Sequence, residues 1–154
     1  MTGYMAEIRK YVGHRTVIQC ATSVICVNER GELLLGLRSD NHKWGYFGGS
    51  VEIDEKVEDC AKRELFEEAN LTADELELFY INSGPEAHYV YPNGDEVSNV
   101  EVVYICRKYH GEPKNADGEM EELRFFPPEQ IDLEFISPPT RSVVRRYIEE
   151  HRQK

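Results

Sequence analysis

Glu64, Glu67 and Glu68 are the residues of this chain whose types and spacing best suit chemistry. On an α-helix, positions i, i+3 and i+4 lie on one face, so the three carboxylates would project together. Like charges at this spacing repel one another on a bare helix, and a bound cation relieves that repulsion. Mg²⁺ in proteins combines one or two carboxylates with water and substrate phosphates. The spacing therefore indicates a divalent-metal site, and the alternative is an acidic helix face exposed to solvent.

A helix must position these carboxylates, and the sequence predicts one that begins after Asp54 and ends at Ala69. Asp54 is a suitable N-cap, which would place Glu55 in the first turn, where negative charge is favourable. One side of the helix is expected to pack against the protein, because an apolar stripe recurs at helical spacing. The stripe consists of Val57, Cys60, Ala61 and Leu65.

Two further residues of this segment have predicted structural roles. Arg63 is spaced to reach Glu67 at i+4 and Asp59 at i−4, which would fix the acidic side chains. Asn70 is expected to end the helix in the left-handed conformation, because its short polar side chain tolerates that geometry better than most.

The whole run from Gly49 to Leu71 fits a longer pattern. Gly49 is followed by five residues, Glu55, seven residues, and then Arg-Glu-Leu-x-Glu-Glu-x-Asn-Leu over residues 63–71. This resembles the Nudix box, G-x5-E-x7-R-E-U-x-E-E-x-G-U with U aliphatic, and the one departure is Asn70 in place of Gly. The preceding Trp44 to Gly49 segment resembles the family's Trp-x-x-Pro-Gly-Gly, with Phe47 in place of the proline.

The resemblance implies hydrolysis of a phosphoanhydride bond in a nucleoside diphosphate linked to another moiety X. It implies that Mg²⁺ or Mn²⁺ is held by Glu64, Glu67, Glu68 and the carbonyl of Gly48, with Arg63 among the catalytic residues. Glu55 would support the site. Bound ions would stabilise charge on the phosphoryl group and activate the attacking water, so no covalent nucleophile is required.

The general base is left open by the resemblance, because family members use either a carboxylate of the box or a Glu in a later loop. The box candidate is Glu64. The later candidates belong to an acidic stretch, and Glu122 is preferred among them because it leads directly into a predicted strand. The other members of that stretch are Asp117, Glu119 and Glu121.

Substrate contacts are expected from residues near the glycines. Gly48 and Gly49 let the backbone approach a ligand closely. Arg38 is the candidate for phosphate or base contact, ahead of His42 and Lys43, and all three could instead be surface residues. The tyrosines that could stack on a base, or belong to the core, are Tyr80, Tyr89, Tyr91 and Tyr104. No further signature identifies the substrate.

Composition sets limits on the class of protein. The 154 residues suit one domain spanning 1–154, and the net charge is −11 with His neutral. That charge argues against a long nucleic-acid partner, which requires a basic surface. No apolar run is long enough to span a membrane, and the first 15 residues lack the apolar segment of a signal peptide. The four cysteines form no Cys-x-x-Cys pair and are expected to be buried thiols in a cytoplasmic protein.

The remaining elements predict an α/β fold of the Nudix type, an α/β/α sandwich with a mixed sheet between helices. Strands are expected at 17–27 and 33–38, joined by a turn, and again at 76–81 and 123–126. A hairpin is expected from His88 to Cys106, with Asn93-Gly94 as a type I′ turn. A C-terminal helix is expected over 140–151 after Ser137-Pro138-Pro139, with Ser137 as a candidate N-cap.

Other classes of function stay open from the sequence alone. One alternative is a Nudix-fold nucleotide-binding module or regulator without turnover, and the intact carboxylates argue against it. Another is an interaction protein whose acidic helix is only a solvated face. An isomerase of isopentenyl diphosphate on the same fold ranks low, because its Cys and Glu arrangement is not recognised here. A homodimer is possible, with Met1 to Tyr11 as a candidate strand at its interface.

Overall fold

The computed structural model describes residues 3–116 and 118–152. Within these residues three α-helices and eight strands form, together with short 3-10 helices at Pro85–Ala87, Pro128–Gln130 and Leu133–Phe135. In chain order the main elements are α1 (Tyr4–Val12), β1 (Val17–Val27), β2 (Leu33–Arg38), β3 (Trp44–Gly45), β4 (Phe47–Ser50), α2 (Val57–Ala69), β5 (Thr72–Asn82), β6 (His88–Val90), β7 (Glu96–His110), β8 (Met120–Phe126) and α3 (Pro138–Arg152).

The strands form one mixed sheet around the long central pair β1 and β7. These two strands run parallel, in register from Val17 opposite Val97 to Cys26 opposite Cys106. The main order is β3-β2-β1-β7-β5, and β4, β6 and β8 pair with β1, β7 and β2 respectively. All pairs other than β1 with β7 are antiparallel. The sheet is therefore mixed, as the sequence predicts.

Two apolar cores lie on opposite faces of this sheet, because successive side chains of a strand point to opposite sides. On one face Val24 and Phe47 pack with Leu65 of α2. On the other face Ile25 and Leu35 pack with α3. The residues that α3 buries are the predicted stripe Val143, Val144, Tyr147 and Ile148. The predicted α/β/α sandwich is confirmed.

The boundaries of β1 and β2 are confirmed, whereas the N-terminal segment differs from the prediction. Residues 4–12 form α1 instead of a strand, and residues 1 and 2 lie outside the described chain. Met5 and Ile8 recur at helical spacing and face the protein, which favours a helix. The Tyr4 N–H donates to Glu52 Oε1 at 2.8 Å, and the Arg9 guanidinium donates to the Glu96 carbonyl at 2.7 Å.

The β6–β7 hairpin is confirmed, but its turn is not type I′. The Gly94 N–H donates to the Tyr91 carbonyl at 2.9 Å, so Pro92 and Asn93 occupy the centre of the turn. Positive φ occurs at Gly94 (95°) and not at Asn93. Proline presets the first central position to negative φ, which excludes the mirror-image turn. Glycine then provides the left-handed residue that returns the chain to β7.

The cysteines follow the prediction with one exception. All four are free thiols, and Cys26, Cys60 and Cys106 are buried. Cys20 is exposed, because α2 covers its face of β1 only from Thr22 onward, where Thr22 Oγ1 donates to Cys60 Sγ at 3.1 Å. Across the described chain, no helix combines the length and the apolar character needed to cross a bilayer.

Candidate active site

Helix α2 begins later than the sequence predicts, and this places Glu55 in a turn. Lys56 is the N-cap residue, and Asp54 adopts a left-handed conformation with φ of 63°. The Glu55 N–H donates to the Glu52 carbonyl at 3.0 Å, which closes the turn. Asp54 tolerates positive φ because its side chain is short and polar. It is therefore a left-handed residue of this turn, and the prediction that it is the N-cap is wrong.

The end of α2 agrees with the prediction for Asn70. Its φ of 62° and ψ of 26° are left-handed, and its N–H donates to the Phe66 carbonyl. The Asn70 side-chain amide also donates to the Glu112 carbonyl at 3.2 Å. Asn70 therefore replaces the family's glycine with the same backbone conformation and one additional hydrogen bond.

Arg63 organises the acidic side of α2. Its guanidinium donates to both oxygens of Glu55, at 2.8 and 2.9 Å, and to Glu64 at 2.9 Å. The predicted contact with Glu67 forms at 3.4 Å, whereas Glu55 takes the place expected for Asp59. Hydrogen bonding from Arg63 lowers the pKa of Glu55 to about 2. Glu55 is therefore ionised at neutral pH and holds Arg63 beside Glu64.

Glu68 is buried and Glu64 is partly buried, so the surrounding protein solvates the charged form of each carboxylate poorly. Glu68 is 1% exposed and accepts the Gly48 N–H at 2.8 Å. Burial, followed by repulsion from Glu119, raises its pKa well above the usual range. Burial also raises the pKa of Glu64 to about 7. Glu67 is 48% exposed and lies at the outer edge of the group.

The two glycines make room for these carboxylates. Strand β4 pairs with β1, so that Gly48 lies opposite Ser23 and Gly49 opposite Thr22. A Cβ added at Gly49 would lie 2.4 Å from the carboxyl carbon of Glu64. A Cβ added at Gly48 would lie 2.2 Å from the Thr22 carbonyl oxygen. Gly48 is therefore needed for packing against the backbone of β1, and Gly49 is needed to make room for the Glu64 carboxylate.

The donor set fits a hard divalent cation, although the side chains are not yet gathered around one point. Within residues 3–116 and 118–152, no three His, Cys, Asp or Glu side chains are arranged to hold a metal ion. Arg63 holds one oxygen of Glu64, and Gly48 holds one of Glu68. Carboxylate and carbonyl oxygens are the ligands that Mg²⁺ and Mn²⁺ prefer. A cation would also compensate the buried charge of Glu68, so the residues suit the ion that the resemblance implies.

The later acidic stretch contributes Glu119 instead of Glu122. Glu119 acts electrostatically on both Glu64 and Glu68. Leu123 packs on the α2 side of the sheet, so the adjacent Glu122 points to the opposite side. There Arg124 donates to Glu122 at 2.8 Å and lies over Trp44 in the α3-side region. The structure therefore does not bring Glu122 to the carboxylates, and the candidate Asp117 lies outside the described residues.

Of the three basic residues ahead of the glycines, Arg38 reaches the carboxylate region. It donates to Asp40 at 2.8 and 2.9 Å and is attracted electrostatically by Glu68. His42 lies 3.3 Å from Glu121, the remaining acidic candidate, and the Lys43 ammonium donates to the Glu134 carbonyl.

The tyrosines divide between the core and the hairpin. Tyr104 packs in the α2-side core, and Tyr80 lies under the guanidinium of Arg146 at 4.2 Å. Tyr89 and Tyr91 pack edge to face at the hairpin, 4.9 Å apart, and Tyr91 interacts with Arg38. Of the four predicted tyrosines, Tyr91 is therefore the one that interacts with Arg38 beside the carboxylates.

Comparison with known proteins decides the family. A sequence profile of the NUDIX domain matches residues 18–147. The chain belongs to the Nudix family. It is accordingly a Nudix hydrolase, with an activity of the nucleotide pyrophosphohydrolase type.

Two sequence relatives of this Nudix hydrolase are both named oxidized purine nucleoside triphosphate hydrolase. The Danio rerio protein is 30% identical over 117 residues, which cover 74% of this chain and 67% of that protein. The Mus musculus protein is 29% identical over 121 residues, which cover 75% and 71%. Among solved structures, a MutT NUDIX hydrolase from Burkholderia pseudomallei gives a TM-score of 0.70 at 24% identity, covering 84% of this chain and 97% of that one. This last likeness shows the shared fold.

The Nudix hydrolase also contains a buried polar group that the sequence analysis missed. Glu101 lies in the middle of β7 and is 8% exposed. Its carboxylate accepts hydrogen bonds from Ser23, Tyr46 and Asn82. The available signal was a single Glu within the apolar run Val100-Glu-Val-Val-Tyr-Ile of a strand.

Proposed function

We propose that this Nudix hydrolase cleaves a phosphoanhydride bond of a nucleoside triphosphate or a related nucleoside diphosphate derivative in a metal-dependent reaction. The observation that carries the proposal is the cluster of carboxylates beside Gly48 and Gly49. Buried Glu68 accepts a hydrogen bond from the Gly48 N–H, and the Glu64 carboxylate lies against Gly49. The names of the zebrafish and mouse relatives make an oxidised purine nucleoside triphosphate the first substrate to test.

The proposed ligands for Mg²⁺ or Mn²⁺ are Glu64, Glu67, Glu68 and the Gly48 carbonyl. When bound, the ion supplies charge neutralisation at the phosphoryl group and acidifies a water molecule. Arg63 positions the Glu64 carboxylate through its hydrogen bond.

Two further roles complete the proposal. Arg38, which acts electrostatically on Glu68, takes the phosphate-binding role, with Gly48 and Gly49 beside it. The general base is assigned to Glu119, with Glu64 as the competing carboxylate. Glu119 acts electrostatically on Glu64 and Glu68, and it takes the role that the sequence analysis assigned to Glu122.

The test is turnover of a nucleotide panel by the wild type and by Glu68→Gln. The panel contains oxidised and ordinary purine nucleoside triphosphates, ADP-ribose, NADH, dinucleoside polyphosphates and nucleotide sugars, each with Mg²⁺ or Mn²⁺. We expect turnover that is lost with chelator and lost with Glu68→Gln. Glu122→Gln is the matched control, because that carboxylate lies on the other face, and it should retain wild-type rates.

Lack of turnover by the wild type on every substrate would contradict the proposal. A melting temperature that still rises with a metal and nucleotide together would then point to the nucleotide-binding module. The single-domain organisation, the cytoplasmic location and the homodimer stay predictions from the sequence.

A further inference from the structure

The N-terminal helix α1 precedes the part of the chain that matches the family profile. The profile match begins at residue 18, whereas α1 spans Tyr4–Val12. Among the described residues of α1, Met5 is the one that is buried. A helix of this length is marginal without further contacts. The position of α1 therefore depends on its polar contacts with the rest of the protein, and these lie at its two ends.

The N-terminal end of α1 is fixed to the turn that carries Glu55. The Tyr4 N–H donates to Glu52 Oε1 at 2.8 Å, and a Cβ added at Gly3 would lie 2.6 Å from the same oxygen. A carboxylate is favourable at this end of a helix, because the first N–H groups have no partner within the helix. The Glu52 N–H in turn donates to Glu55 Oε1 at 3.1 Å. Glu52 therefore connects α1 with the ion pair between Glu55 and Arg63.

The C-terminal end of α1 is fixed to the β6–β7 hairpin. The Arg9 guanidinium donates to the Glu96 carbonyl at 2.7 Å and lies 3.8 Å from the Asp95 carboxylate. His14, just beyond the helix, lies 2.7 Å from the same carboxylate. The Asp95 carbonyl accepts the Tyr91 N–H at 2.8 Å. These contacts fix the turn of the hairpin, and with it Tyr91, relative to α1.

Both anchored segments belong to the proposed active site. At the N-terminal end of α1, the contacts continue through Arg63, which donates to Glu64 at 2.9 Å. At the C-terminal end they continue through Tyr91, which interacts electrostatically with Arg38. A helix of nine residues is about 13 Å long. Helix α1 therefore joins the segment that positions a proposed metal ligand to the segment beside the proposed phosphate-binding residue.

We propose that α1 couples these two sides of the active site, and that Glu52 and Arg9 are the positioning residues at its two ends. This rests on the proposed function, because it assumes that metal and phosphate bind at the two sides. Loss of either anchor frees a short helix that is otherwise held by one end and by Met5. A change at one end is therefore transmitted to the other end, and the two anchors do not act independently.

The test is a double-mutant cycle of Glu52→Ala and Arg9→Ala. Changes this far apart with no shared partner lower stability additively. We expect instead that the double variant melts close to the less stable single variant, because either substitution already frees α1. The Mg²⁺ concentration for half-maximal rate should rise by roughly 5-fold or more in both single variants, and the substrate KM should also rise in both.

Lys10→Ala is the matched control within the same helix. Its side chain is 72% exposed and pairs with Glu7, so it touches neither anchor. The substitution should leave the Mg²⁺ dependence and the substrate KM at wild-type values. If α1 has only a stabilising role, the anchor variants should melt at lower temperature with the same Mg²⁺ dependence and KM as this control.

Additive shifts in melting temperature, or an Arg9→Ala variant with unchanged Mg²⁺ dependence, would overturn the inference. If Arg9→Ala does not fold, His14→Ala replaces it in the cycle, because that ring is 69% exposed and contacts the same Asp95 carboxylate. The Mg²⁺ dependence is also measured as the rise in melting temperature, without turnover. The unfolding cycle in chelator requires neither metal nor substrate, so it tests the coupling through α1 even if the wild type hydrolyses no nucleotide.

Discussion

Arg63 and Glu55 form a two-pronged ion pair across the turn that precedes α2. Arg63 Nε donates to Glu55 Oε2 at 2.8 Å, and Arg63 Nη2 donates to Glu55 Oε1 at 2.9 Å. The same guanidinium donates to Glu64 through its remaining nitrogen. Because a paired guanidinium has a fixed orientation, Glu55 controls the position of Glu64 through Arg63.

The first prediction is that Glu55→Gln destabilises the protein at neutral pH but not in strong acid. The pKa of Glu55 is about 2 in the folded protein against an ordinary value of 4.5. A lowered pKa stabilises the fold above the ordinary value, and this stabilisation is lost as the pH falls from 4.5 through 2. Allowing for solvent screening, we expect a loss of about 1 kcal/mol at pH 7. Urea unfolding at pH 7 and pH 2.5 measures this loss. The control is Glu122→Gln, which removes a carboxylate from the exposed pair with Arg124. An equal loss of stability at both pH values would contradict the Glu55–Arg63 ion pair.

The second prediction concerns Glu64, whose pKa of about 7 lies above the ordinary 4.5 because the carboxyl is buried. Between these values the folded protein holds the proton more tightly than the unfolded chain. The contribution of Glu64 to stability therefore decreases as the pH rises from 4.5 to 7 in chelator. Mg²⁺ binds the ionised form, so the rise in melting temperature with Mg²⁺ should be larger at pH 8 than at pH 5.5. A rise that is the same at both pH values, or one that persists in Glu64→Gln, would argue against Glu64 as a ligand.

The third prediction contrasts the two glycines of the site. Gly49→Ala should fold and lose activity, because its new Cβ displaces only the end of the Glu64 side chain. We expect kcat/KM to fall by about 10- to 100-fold, as for disturbed metal ligation. Gly48→Ala should instead destabilise the protein by about 2 kcal/mol, because its Cβ meets the Thr22 backbone oxygen. Turnover and urea unfolding of both variants separate the effects, and a stable, active Gly49→Ala would refute the packing described.

Local sequence patterns predicted most of the fold, because each followed from contacts near in the chain. The stripe of α2, the boundaries of β1 and β2 and the left-handed Asn70 belong to this group. The position of Glu122 could not be predicted, since it depends on which face of the sheet the register of β8 assigns to each residue. The N-cap prediction for Asp54 was wrong for a related reason. Short polar side chains such as Asp are favoured both at helix N-caps and at left-handed turn positions, so the sequence does not distinguish the two roles.

The hydrogen-bonded cluster around Glu101 could not be predicted from the sequence, and the reason is different. Glu101 lies in β7, and its three partners come from distant parts of the chain that only the sheet brings together. They are Ser23 of β1, Tyr46 between β3 and β4, and Asn82 of β5. No spacing rule connects residues so distant in the chain. A lone Glu in an apolar strand indicates a buried polar group but does not identify its partners.

The fourth prediction is that Asn70 can be replaced by Gly but not by Val. Asn70→Gly keeps the left-handed conformation and loses the hydrogen bond to the Glu112 carbonyl, so stability should change by less than about 1 kcal/mol. Asn70→Val forces a branched residue to positive φ and should destabilise by about 2 kcal/mol. Urea unfolding ranks the three proteins. If Asn70→Val were as stable as Asn70→Gly, the left-handed conformation described for residue 70 would be contradicted.

The fifth prediction separates Glu119 from Glu122 and from Glu64 as general base. Loss of a general base lowers kcat by about 100-fold and removes the acid limb of the pH–rate profile, because that limb reports deprotonation of the base. We expect this for Glu119→Gln, since Glu119 acts on Glu64 and Glu68, and wild-type behaviour for Glu122→Gln, which is bonded to Arg124 on the other face. Rates at saturating Mg²⁺ from pH 5 to 10 provide the measurement. If Glu64→Gln alone removes the acid limb, the base is Glu64, and Glu119 acts only by raising the pKa of its neighbours.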